Sequence, residues 1–159
     1  MNTRAILIAS FAVTFLVQCA STIDEPFEGD RDLAVLLGNQ SGCRLSASDS
    51  PTSGAHGKVR LASASMAAKT YGDLYTGKSL TIDQLLRNVS KAFAGASTAP
   101  AGSNLYTLGS LSAGGEARFA ATGDGGLTIE YLGNSTGTVS FNRDEAAIFK
   151  GLIDQALAQ

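Results

Sequence analysis

Apolar and polar positions divide the chain into three stretches of different rhythm. Residues 5–17 are continuously apolar, residues 20–80 carry only short apolar runs among small and polar residues, and residues 81–159 show the clearest periodicity. In that last stretch Ile82, Leu85, Leu86, Val89 and Phe93 recur at helical spacing on one face. Thr81 and Gln84 just ahead have the spacing of a capping box, in which hydroxyl and amide satisfy each other's backbone donors. Gly95 is expected to stop this helix. A second helix is predicted to open at Asn142-Arg143-Asp144-Glu145, with both acids at the positive end of its dipole. Its buried stripe is Ile148, Phe149, Leu152, Ile153, Ala156 and Leu157. Four short extended segments lie between, at 105–111, 117–122, 127–132 and 138–141, separated by glycine-rich turns of hairpin length. Leu127, Ile129 and Tyr131 alternate with Thr128 and Glu130, so one face is expected to be covered and the other wet.

The predicted class is α+β: an antiparallel four-stranded β-meander packed with two amphipathic helices in a single two-layer domain, residues 33–159. Its beginning is less legible. Residues 33–37 are an apolar run closed by Gly38, long enough for a strand or a helical turn or two. Residues 46–57 have loop composition, and 59–68 mix strand-like alternation at Val59 and Leu61 with an alanine-rich continuation that favours helix.

The amino-terminal apolar run follows a short basic start, Met1 to Arg4, and is 13 residues long. A membrane-spanning helix needs about 20. The pattern is that of an export signal, residues 1–18, and places the rest outside the cytoplasm. Leu16-Val17-Gln18-Cys19 resembles the bacterial lipobox, which implies diacylation of the Cys19 thiol and a membrane anchor through it; Gln18 stands where that motif carries a small residue. Ordinary cleavage after Ser21, with small Cys19 and Ser21 at the two critical positions, is the alternative. The expected location is periplasmic or outer-membrane-anchored in a bacterial cell, or else secreted.

Removing residues 1–18 takes away one of 12 bases and none of 14 acids, leaving a formal charge of −3. Bases are scattered, which argues against a nucleic-acid partner. Acids concentrate only at Asp24, Glu25, Glu28, Asp30 and Asp32. Residues 19–32 read as a solvated acidic tether, since the acids lack the spacing and glycine turn of a calcium loop; a patch for a cation or basic partner is the sharper reading.

Three constellations offer chemistry. Gly72, Gly77, Lys78 and Ser79 fit the P-loop spacing, in which backbone N–H groups and a lysine hold phosphates. The preceding residues do not form the buried strand a P-loop springs from, so a glycine-rich turn into the helix is expected instead. Cys43, His56 and Asp49 can be written as nucleophile, base and orienting acid, His56 being the only histidine. The competing expectation is a buried structural thiol and a loop histidine. Glu116, Asp124 and Glu130 lie among the predicted strands and would supply a carboxylate pair if they converged. One histidine and two cysteines leave no dedicated metal cluster, and no cofactor is expected. The resulting expectation is an exported, non-catalytic binding or envelope-assembly module, tethered by lipid on Cys19, with a protein partner in the envelope. An exported Cys/His hydrolase is the alternative and a nucleotide-binding protein a distant one.

Overall fold

The computed structural model describes residues 34–48, 57–65, 71–76, 80–111, 115–133 and 136–159. They form eight strands and two helices, an α+β chain in which both sheets are wholly antiparallel. The first sheet joins β1 (Ala34–Gln40), β2 (Cys43–Ser48), β3 (Lys58–Ser63) and β4 (Gly72–Tyr75) in that order. After α1 (Ile82–Ala96) a second sheet joins β5 (Asn104–Leu111), β6 (Gly115–Ala121), β7 (Leu127–Gly133) and β8 (Gly137–Phe141), and α2 (Arg143–Leu157) follows.

The first sheet corrects the sequence reading, which expected one sheet of four strands. Residues 46–48, assigned to a loop, are the end of β2, and the ambiguous 59–68 begins as strand β3. Both strands are buried on both faces, so the polar positions between the apolar ones are not solvent positions. Cys43, Leu45 and Ala47 pair with Ser63, Leu61 and Val59, and this row faces the core. The β1–β2 hairpin turns through Ser41 and Gly42, both at positive φ (50° and 80°), as a two-residue hairpin turn requires.

Both helices begin as their caps dictate. In α1 the Gln84 N–H donates to Thr81 Oγ1 at 3.2 Å and the Thr81 N–H returns a bond to Gln84 Oε1 at 3.0 Å. In α2 the Glu145 N–H donates to Asn142 Oδ1 at 2.9 Å, and the Asn142 N–H to Glu145 Oε2 at 3.0 Å. Gly95 does not stop α1, which runs on to Ala96 with Ser97 as a right-handed cap. The glycine serves contact instead: a Cβ there would sit 3.2 Å from Leu105 Cδ2 of β5.

Helix and sheet are crossed in their packing. α1 follows the first sheet but lies mainly against β5 and β6, while α2 follows the second sheet and lies mainly against β1 and β2. Gly38, beside a bulge in β1, allows the approach of α2; an added Cβ would fall 2.8 Å from Leu152 Cδ2. The helices also pack on each other, and buried Ser90 donates to Asp154 at 2.6 Å across that contact. One contiguous apolar cluster draws on both sheets and both helices. At its centre Phe141 meets Phe149 edge-on at 5.2 Å and Phe93 edge-on at 5.7 Å, and Phe93 stacks on Phe149 at 6.0 Å. No described helix is long and apolar enough to cross a membrane.

Candidate functional site

Two polar clusters are built into the first sheet. The first lies where the end of β3 meets the start of α2. Glu145 is only 8 % exposed, and one of its carboxylate oxygens accepts from Ser63 Oγ at 2.5 Å and from Ser65 Oγ. The other is engaged by the Asn142 N–H, so the carboxylate caps its own helix while gripping a strand end 82 residues away in the chain. Burial pushes the Glu145 pKa up, but the bonds from Ser63, Ser65 and the Asn142 backbone outweigh it and hold the carboxyl below its ordinary value. Such a carboxylate is a poor general base, and it leaves the helix terminus already occupied by an anion.

Cys43 adjoins this cluster, paired in register with Ser63 and 1 % exposed. Burial first, and the Glu145 charge second, push its thiol up to about 11, against a smaller opposing pull from a hydrogen bond with Ser63. At neutral pH the group is a protonated thiol inside the core, whereas a nucleophilic cysteine needs a thiolate within reach of substrate. Asp49 and His56, its proposed partners, lie outside the described residues, as does Cys19.

The second cluster occupies the opposite face of the same sheet. Ser46, Arg60 and Asp73 stand side by side on β2, β3 and β4, and Ser48, Lys58 and Tyr75 form the next row. Arg60 grips Asp73 with two parallel bonds, Nε to Oδ1 at 2.6 Å and Nη2 to Oδ2 at 2.8 Å, and its guanidinium lies 3.7 Å from the Tyr71 ring centre. Planar, bidentate and stacked contacts of this kind use what distinguishes arginine from lysine. Lys58 lies 5.9 Å from the Tyr75 ring centre. From the second sheet, largely buried Tyr131 comes up to β4, its phenol pKa raised by burial and then by the charge of Asp73. None of Arg44, Lys58, Arg60 and Tyr75 is a free group.

The P-loop-like stretch is divided by the structure. Gly72 opens β4, and residues 72–75 pair with β3 in antiparallel register; a Cβ on Gly72 would pack against Phe141, Ile129 and Leu61. The expected turn is therefore an edge strand over these four residues, paired on one side with β3, while Gly77, Lys78 and Ser79 lie outside the described residues. The three carboxylates on the second sheet do not converge. Glu116 and Glu130 flank Arg118 on its outer face, with Arg118 Nη2 3.4 Å from Glu116, while Asp124 closes the β6–β7 turn by accepting from the Thr122 hydroxyl and the Gly126 N–H. Among the described residues no group of three or more metal-binding side chains comes together.

Sequence reasoning missed both clusters of the first sheet. Glu145 was visible only as a helix-capping acid, and nothing local connects it to Ser63 and Ser65. No family model matches the chain, and neither a curated protein nor a solved structure matches it.

Proposed function

We propose that this chain is an exported bacterial envelope protein, lipid-anchored through Cys19, whose α+β domain binds or helps assemble another envelope component and catalyses no reaction. The leader pattern of residues 1–18 supports export, and the lipobox-like ending supports the anchor. Consecutive strand order in the second sheet, together with the helices laid against both sheets, supports a meander in a two-layer packing.

The observation that carries the reading is the state of Cys43. A thiol 1 % exposed, with its pKa pushed up to about 11, is suited to packing and unsuited to attack. That weighs against the hydrolase alternative. The extended, β3-paired course of residues 72–75 weighs against the nucleotide alternative, because a P-loop wraps its backbone around the phosphates instead of running on as a strand.

Intact mass of the protein recovered from its native membranes tests the anchor: a chain beginning at Cys19 with a diacylglyceryl addition is expected, and an unlipidated chain beginning at Thr22 refutes it. For the absence of thiol catalysis, iodoacetamide at pH 8 is expected to leave Cys43 unmodified until the protein is unfolded. Fast alkylation of the folded chain would restore the hydrolase.

A further inference from the structure

Among the described residues the chain runs the same course twice. Four antiparallel strands in consecutive order lead to a 15-residue helix opened by a capping box, first as β1–β4 and α1, then as β5–β8 and α2. Neither repeat is complete alone. The helix of the first lies mainly on β5 and β6 of the second, and the helix of the second mainly on β1 and β2 of the first. Each helix thus covers the sheet of the other repeat, the arrangement that two separate chains reach when they exchange an identical element.

Residues 97–103 join the two repeats. Their backbone bonds divide between the two ends. The Thr98 and Ala99 N–H groups donate to the Gly95 carbonyl of α1 at 3.3 and 3.1 Å. On the other side the Gly102 N–H donates to the Ala121 carbonyl of β6 at 2.8 Å, and the Ser103 N–H to the Pro100 carbonyl at 3.1 Å. These bonds meet at Ala99–Pro100 without crossing it. Proline fixes its own φ there and turns the residue before it toward an extended course, and Ser97, Thr98, Pro100, Ala101 and Gly102 are all exposed. The junction of β8 and α2 has no such slack, because Asn142 follows the last strand residue directly and caps the helix.

We propose that the repeats also exchange between two copies of the chain, hinged at Ala99–Pro100, so that the first repeat of one copy closes on the second repeat of the other. Every contact between repeats is then made as before, now between copies: Glu145 on Ser63 and Ser65, Ser90 on Asp154, and Phe93 against Phe141 and Phe149. Only the hinge changes its path. Dimer and monomer therefore differ chiefly in the freedom lost on association, and protein concentration sets the balance between them. The dimer presents the outer face of the second sheet twice; that consequence rests on the binding role proposed above, whereas the exchange itself does not.

Refolding the chain from urea at graded concentrations, followed by size-exclusion chromatography with light scattering, tests the exchange. A dimer with the circular dichroism of the monomer is expected, and tenfold more protein should raise the ratio of dimer to monomer about tenfold while monomer predominates. Monomer alone at every concentration overturns the proposal. Cysteine variants separate exchange from side-by-side association, because Ser90 and Asp154 touch across the contact between α1 and α2. The double variant S90C/D154C, oxidised with glutathione disulfide, is expected to close a bond within the monomer and serves as the positive control. Single variants S90C and D154C refolded together are expected to give a dimer linked by a disulfide between the copies, and the same two refolded apart and then mixed are expected to give none. A dimer that forms without this link overturns the exchange.

Discussion

Glu145 is where the fold concentrates most polar stabilisation on one side chain, so its removal should be felt globally. Glu145→Ala takes the acceptor from three donors at once: Ser63 Oγ, Ser65 Oγ and the Asn142 N–H. Hydrogen bonds to a charged group contribute about 1.5–3 kcal/mol each. Ser65 is exposed and regains water, so Ser63 and Asn142 carry the loss, and the expected cost is about 2–4 kcal/mol. Glu145→Gln keeps one acceptor oxygen and should cost about half as much, roughly 1–2 kcal/mol. The pH dependence separates the charged carboxylate from mere shape. The folded pKa of Glu145 is depressed, so the unfolded chain takes up the proton first as pH falls. The contribution is therefore fully present above the unfolded value, about 4.3, and disappears as pH drops through the lower folded value. Urea unfolding followed by far-ultraviolet circular dichroism should give a constant gap between native chain and E145Q from pH 7 to about pH 5, narrowing below about pH 4. Other acids with lowered values, Asp124 and Asp154 among them, cancel in that difference. A gap below about 0.5 kcal/mol at pH 7, or one that persists undiminished at pH 3, would refute the staple.

Two further outcomes test the packing. Phe149→Ala empties a fully buried site between Phe93 and Phe141 and should cost about 3–5 kcal/mol in the same urea assay; a loss under about 1 kcal/mol would mean that these rings do not form the centre of the core. Gly115→Ala places a Cβ 2.4 Å from the Leu132 carbonyl oxygen, a backbone atom of the paired strand that cannot step aside. It should destabilise by about 1–3 kcal/mol, whereas Gly137→Ala, with nothing within 4 Å, should be neutral or gain up to about 1 kcal/mol. The reverse order of the two melting temperatures would show the β6–β7 register to be wrong.

What the chain discloses in advance depends on whether a face is wet. In the second sheet, Leu127 and Ile129 go inward while Thr128 and Glu130 stay partly open, so the alternation survives in the sequence and the strands emerge within two residues of their predicted ends. Thr81 with Gln84 and Asn142 with Glu145 mark the helix starts because capping is a local transaction, complete within four residues. The first sheet has the same two-residue period at Cys43, Leu45, Ala47, Val59 and Leu61. Its intervening positions are Arg44, Ser46, Ser48 and Arg60, and composition assigns such residues to loops and solvent. Tertiary burial overrides that preference here, and no propensity predicts it. Gly95 shows the opposite error, a residue read as a helix stop because glycine ends helices, when the close approach of Leu105 is what needs it.

The crossing of helices and sheets bears on where a partner can bind. Because α1 gives its apolar face chiefly to β5 and β6 and α2 gives its own chiefly to β1 and β2, neither half of the chain buries its helix alone, and the inner faces of both sheets are consumed by the fold itself. Recognition must then use what the core does not. The cationic face of the first sheet is already buried and its charged groups engaged. Two described apolar side chains remain open, Leu36 on the edge strand β1 at 46 % exposure and Leu132 on the outer face of the second sheet at 38 %, the latter on a face where Arg118 and Glu116 are also well exposed. Opposed charges around one exposed apolar side chain provide direction as well as adhesion. The binding role proposed above is tested on this face by E116K and L132D: each is expected to abolish capture of the partner while leaving thermal unfolding unchanged, and unaltered capture would move the binding surface elsewhere.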